Sequence, residues 1–212
     1  MVQLLGLFLF FGLSFPVSAQ DERYYRQILK GELPDTGMDL KDPPEHQFNV
    51  KGASYVIDLN GDGFEESIQP QKRDGVDWLE IKDSSQRKVF EAKLFAVGGE
   101  SVIYKIKIAQ ISPTVKLLLL FLDEGKSAGR KFESTARIYL LTMENNDLST
   151  FNITMGPHHY HEKQRQREQY YRRDYAVEIR DVNKDGTRDV IVEYNHIQRI
   201  MLYKGKGEWD RF

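Results

Sequence analysis

Two nine-residue stretches carry one spacing of oxygen-bearing side chains: Asp58-Leu59-Asn60-Gly61-Asp62-Gly63-Phe64-Glu65-Glu66 and Asp181-Val182-Asn183-Lys184-Asp185-Gly186-Thr187-Arg188-Asp189. Each reads D-x-N-x-D-G-x-x-(D/E), with hard oxygen donors at positions 1, 3, 5 and 9 and a glycine at position 6, where the backbone turns sharply inward. Their flanks alternate apolar and polar residues and are rich in β-branched ones: Tyr175-Ala176-Val177-Glu178-Ile179 precedes the second loop and Val190-Ile191-Val192 follows it. Strand–loop–strand is the local fold that such flanks predict.

The donor set suits Ca²⁺, which takes six to eight oxygens at roughly 2.3–2.6 Å. An EF-hand is excluded, because its bidentate glutamate at position 12 is replaced by Gln69 in one loop and Val192 in the other. The expected ligands are the side chains of Asp58, Asn60, Asp62 and Glu66 with the Phe64 carbonyl. The second set is Asp181, Asn183, Asp185 and Asp189 with the Thr187 carbonyl.

With Gly52-Ala53-Ser54-Tyr55-Val56-Ile57 leading into the first loop and Tyr175 through Val192 framing the second, the chain resembles the FG-GAP/VCBS family of calcium-binding β-repeats. The resemblance implies calcium held in a tight turn between the first two strands of each small sheet, and an integrin-like propeller arrangement. Glu66 departs from the family's usual Asp at position 9, and the chain holds too few units for an ordinary closed propeller.

Between the loops, strand signals fall at Val76–Lys82, Lys88–Phe95, Val102–Gln110, Val115–Leu122, Ala136–Met143 and Leu148–Thr154. Turn residues separate them, including Ser112-Pro113 and Asp123–Gly129. Tyr104–Gln110 echoes Tyr175–Asp181, and Ser112-Pro113-Thr114 stands where an acidic loop would be. Gln110 lies 52 residues after Asp58 and 71 before Asp181; without the 17-residue segment Pro157–Arg173 the second interval becomes 54. The fold expected is therefore all-β: three propeller-blade-like antiparallel repeats of about fifty residues, with a short N-terminal helix (Glu22–Leu33) and a polar helical insertion. Three arrangements of these units stand open, a three-sheet prism, an open arc completed by partners and a propeller with one further blade, and Glu45–Lys51 is a candidate strand to close the ring against the C-terminal end.

The insertion, residues 157–173, is rich in histidine, tyrosine and arginine. At helical spacing Tyr160, Gln164, Arg167 and Tyr171 would share one face. Three readings stand side by side: a solvated cap, a docking surface for an anionic glycan or protein, and a transition-metal site using His158, His159 and His161. The contact surface would comprise His158, His159, His161, Arg165, Arg167, Tyr170, Tyr171, Arg172 and Arg173.

The first nineteen residues are uncharged, contain the apolar run Leu4–Phe15 and end in Val17-Ser18-Ala19, the layout of a signal peptide cleaved before Gln20. Export to the periplasm or outside the cell is expected, with no membrane span after cleavage. The 193 remaining residues would form an N-terminal helix and linker over 20–45 and one β domain over 46–212. There is no cysteine, so no disulfide and no thiolate metal site. A net charge of −2 argues against general nucleic-acid binding.

No catalytic motif is visible: no G-x-S-x-G, no H-E-x-x-H, no phosphate-cradling glycine loop. The sequence thus points to an exported calcium-binding β-repeat module that contacts protein or anionic glycan and has no catalytic residues. The rivals are a calcium-dependent cell-envelope hydrolase and a purely structural envelope protein.

Overall fold

The structure, a computed structural model, describes residues 46–49, 54–96, 101–127, 132–164 and 170–212. The expected signal peptide (residues 1–19), the helix expected over Glu22–Leu33, and Arg165 and Arg167 of the insertion lie outside them. Among the described residues there is no α-helix, and none is long and apolar enough to cross a membrane.

The described chain is all-β, and its strands form three antiparallel sheets. The first is a meander of β2 (Tyr55–Ile57), β3 (Glu66–Arg73), β4 (Val76–Lys82) and β5 (Lys88–Leu94). The second has six strands, β1 (His46–Asn49), β6 (Val102–Ser112), β7 (Val115–Ser127), β8 (Phe132–Glu144), β9 (Asn152–Gln164) and β10 (Tyr170–Asp174), in the order 1-6-7-8-9-10. The third is a meander of β11 (Ala176–Arg180), β12 (Asp189–Tyr194), β13 (Ile197–Gly205) and β14 (Glu208–Arg211).

The apolar run of β7 explains the layering. Side chains alternate across a strand, so a continuous run needs apolar cover on both faces. Leu118, Leu120 and Leu122 join Ile68, Leu79 and Ile81 of the first sheet in one core. Leu117, Leu119 and Phe121 join Val190, Val192 and Met201 of the third sheet in another. The six-stranded sheet is thus the middle layer. The outer faces are polar instead. On the first sheet Arg73 bridges Glu80 (2.6 Å) and Glu91 and lies 5.4 Å over Trp78. On the third, Arg180 reaches toward Glu178 and Glu193.

Two expectations are corrected. The insertion is not a helix: His158–Gln164 continue β9, and Tyr170–Arg173 form β10, paired Tyr170↔Gln164 through Asp174↔Tyr160. β8 supplies the reason, since its Phe132–Ala136 edge pairs with Tyr160–Gln164 and satisfies their backbone groups. Tertiary pairing overrides the helical propensity of a polar segment. Nor does the strand before the first loop close a ring against the C-terminus. His46–Asn49 pair with Lys105–Ile108 at the edge of the middle sheet, while β14 pairs only with β13 among the described strands.

Candidate calcium loops and the basic hairpin

Both acidic loops sit between the first two strands of a four-stranded sheet, loop 1 between β2 and β3 and loop 2 between β11 and β12. They share four side-chain-to-backbone hydrogen bonds at equivalent positions. The first aspartate accepts from the position-6 glycine: Gly63 N–H to Asp58 Oδ2 and Gly186 N–H to Asp181 Oδ2, both 2.9 Å. Position 3 accepts from position 5: Asp62 N–H to Asn60 Oδ1 at 3.0 Å and Asp185 N–H to Asn183 Oδ1 at 3.1 Å. Position 5 accepts from position 7: Phe64 N–H to Asp62 at 2.8 Å and Thr187 N–H to Asp185 at 2.7 Å. Position 9 reaches back to position 2: Leu59 N–H to Glu66 Oε2 at 2.7 Å and Val182 N–H to Asp189 Oδ2 at 3.1 Å. Gly63 and Gly186 have φ of +87° and +86°, the left-handed region where a Cβ would strain the turn.

Position 9 is the buried end of each loop. Glu66 is 1% exposed and Asp189 fully buried. Burial pushes the Asp189 carboxyl up to about 6, with the charges of Asp185 and Asp181 adding to it against the hydrogen bonds from Tyr203 and Val182. Glu66 is raised likewise by burial, with Asp62 and Asp58 contributing. Glu66 has one more methylene than Asp189, and its carboxylate still makes the same backbone bond.

The donors fit a hard cation in kind: carboxylate, amide and carbonyl oxygens. One atom fits in detail. Asp181 Oδ1 is buried and accepts no hydrogen bond, an unmet acceptor of the kind that a cation satisfies. Among the described residues no three His, Asp or Glu side chains are gathered as a ready-made metal cluster; the loop carboxylates are directed at their own backbone amides. Asp185 and Thr187 open onto a groove shared with Ser112, Thr114, Glu144 and Lys204, so loop 2 faces the turn between β6 and β7.

The predicted contact surface does not form one patch. The two-residue period of the β9–β10 hairpin splits it. Tyr160 and Tyr170 both donate to Glu162 (2.7 and 2.8 Å), and Arg172 stacks over Tyr160. On the opposite face His161 and Lys163 pair with Glu133 at 3.0 Å, while His161 and Arg173 lie against the Tyr171 ring. The three histidines do not converge. His159 is buried against Phe121 with its Nε2 3.1 Å from the Tyr104 hydroxyl, and burial brings its imidazole down to about 4. His158 instead meets Glu124 at 2.8 Å.

Sequence reasoning missed Glu124, read there as part of a turn. It is 1% exposed and accepts from Arg137 Nε (2.5 Å) and Thr135 Oγ1 (2.6 Å). Burial pushes this carboxyl up, but the bonds from His158, Thr135 and Arg137 outweigh it and hold it at about 2. Lys116 was missed too, although a lone lysine inside an apolar run is itself a signal that a polar partner waits. Compared with protein-family models, with curated proteins and with solved structures, the chain matches none of them.

Proposed function

We propose that the chain is an exported, calcium-binding β-repeat domain of the FG-GAP/VCBS kind, in which Ca²⁺ stabilises the two acidic turns and the basic hairpin meets an anionic protein or glycan. The single observation that carries this reading is that two loops 123 residues apart, each closing the first hairpin of its sheet, share four backbone hydrogen bonds at equivalent positions. Acidic turns of unrelated purpose have no reason to share four backbone bonds at the same four positions.

In this reading each sheet contributes one four-stranded blade-like unit, β2–β5, then β6–β9, then β11–β14, and β1 and β10 extend the middle one at its edges. The Ser112–Thr114 turn takes the place of the calcium loop in the middle unit. Polar outer faces on the first and third sheets suit a short capped stack, since terminal units of a repeat array need a solvated outer side. Ca²⁺, when bound, supplies positive charge to side chains that otherwise repel one another, which links its binding to folding.

The hairpin adds an exposed arginine, Arg172, over the Tyr160 ring and a half-buried one, Arg173, over the Tyr171 ring, chemistry that suits carboxylate or sulfate groups. The exposed arginine lies on the Tyr160 face, and a bound chain would sit there.

The test is thermal melting of the protein in excess EDTA, then in millimolar Ca²⁺, with Mg²⁺ as control. A Ca²⁺-specific rise of several degrees, diminished in Asp181→Ala, is expected; an unchanged melt would overturn the calcium reading. For the hairpin, Arg172→Glu should abolish retention on a sulfated or carboxylated glycan matrix without changing the melt. Retention at wild-type salt strength would sink that part.

A further inference from the structure

The two loops differ at one point that their matching sequences conceal. Lys116, on β7 of the middle sheet, projects toward the first sheet and donates its ammonium to the carbonyl of Leu59, the second residue of loop 1. The carboxylates of Asp58 and Glu66 act on that ammonium through their charge. Asp58, moreover, already uses both oxygens, accepting from Gly61 N–H at 2.6 Å and Gly63 N–H at 2.9 Å.

Loop 2 is arranged otherwise. The residue joining it to the middle sheet is its own Arg188, whose backbone N–H donates to the Ile111 carbonyl at 2.8 Å and whose guanidinium donates to the Gln110 carbonyl. Asp181 accepts at Oδ2 alone and keeps Oδ1 buried without a hydrogen bond.

Resting on the calcium reading above, we infer that Lys116 is a built-in counter-charge for loop 1, so that the two loops do not take calcium equally: loop 2 binds the ion tightly and loop 1 weakly. A fixed ammonium lowers the negative field that a divalent ion would otherwise meet, and calcium affinity follows ligand charge. The loops' other charges act in the opposite sense, since loop 1 carries the exposed Glu65 and loop 2 carries the exposed Lys184 and the half-buried Arg188. Solvent and salt screen Glu65 and Lys184 more than the half-buried Lys116, and the Arg188 guanidinium is engaged at the Gln110 carbonyl of the middle sheet. Loop 1 thereby keeps its shape with little calcium, while loop 2 would respond to the ion.

The experiment is calcium titration by isothermal calorimetry of the full chain, stripped of cations beforehand. Wild type is expected to show one tight site per chain and a second at least tenfold weaker. Asp181→Ala should remove the tight site, Asp58→Ala should spare it, and Lys116→Met should tighten the weak site at least tenfold. Lys116→Arg, which keeps the charge, should behave as wild type and guards against a packing effect. Two equal sites in wild type, loss of the tight site in Asp58→Ala rather than Asp181→Ala, or a weak site unmoved in Lys116→Met would each overturn the inference and leave the calcium reading standing. No binding to wild type at millimolar Ca²⁺ would overturn both.

Discussion

Asp189 Oδ1 accepts the backbone N–H of Tyr203 at 3.1 Å, so the last residue of the second acidic loop is fastened to the third strand of its own sheet. With Val182 N–H on its other oxygen, this fully buried carboxylate holds loop and sheet as one piece. Asp189→Ala leaves two backbone donors without acceptors, at about 1–3 kcal/mol for each buried group. A fall in melting temperature of about 4–24 degrees in EDTA is expected for a domain of this size. A shift under two degrees would show that the loop is not anchored this way.

Asp189 and His159 predict opposite pH behaviour over one window. Burial raises Asp189 to about 6, so its contribution to stability is present below its unfolded value of 3.8 and is lost as pH rises through about 6. His159 is lowered from 6.5 to about 4; the unfolded chain takes up a proton that the folded one refuses, and stability is lost as pH falls through that range. Each amounts to at most about 3 kcal/mol. Denaturant melts in EDTA from pH 7 to pH 4 should therefore look nearly flat for these two groups in the wild type. Asp189→Asn should expose an acid-side loss and His159→Gln an acid-side gain. The same slope in both variants would refute the pairing.

Glu124 is the buried anchor of Arg137, Thr135 and His158. Removing it as Glu124→Ala strands the Arg137 guanidinium, whose side chain is 13% exposed, and should cost about 3–5 kcal/mol. Because hydrogen bonding holds this carboxyl at about 2, its contribution is present above 4.5 and disappears as pH falls toward 2. Chemical denaturation of the variant should show a lower midpoint at pH 7 that converges on the wild type near pH 2. Equal midpoints at pH 7 would mean that the cluster contributes nothing net.

At Gly156 a Cβ would sit 2.6 Å from Ile138 Cγ1, 2.7 Å from Leu140 Cδ1 and 2.9 Å from the Ile138 carbonyl oxygen. The last of these is backbone and cannot swing aside. Gly156→Ala is expected to destabilise by about 1–3 kcal/mol through overpacking, read from equilibrium urea unfolding. An unchanged midpoint would show that β8 and β9 can separate freely there.

Core truncation should be costly on both faces of β7. Leu119 and Leu120 are fully buried in opposite cores, so Leu119→Ala and Leu120→Ala should each cost about 2–5 kcal/mol. If only one of them destabilises, the middle sheet is not covered on both sides in solution.

What the sequence determined by itself is local. Period-two alternation marked β4 at Val76–Lys82 to the residue, and the donor spacing of the loops placed them between strands, because those signals arise from neighbours along the chain. The apolar run Val115–Leu122 was legible as a strand too, while its burial on both faces came from the packing of the sheets. Tertiary structure decided the rest. Asp123–Gly129 reads as a turn, yet β7 runs on to Ser127, since its backbone finds partners in β8 at Lys126↔Ser134 and Ser127↔Glu133. Residues 158–173 carry a helical pattern, yet their described part became strand because an open edge of β8 lay beside them. That choice replaced a period near 3.6 with a period of two and divided the histidines among three environments. Likewise, no spacing rule could bring Lys116 to Leu59 or Arg137 to Glu124. Those meetings depend on which sheet packs on which and which strand pairs with which, and that is fixed only when the whole core closes.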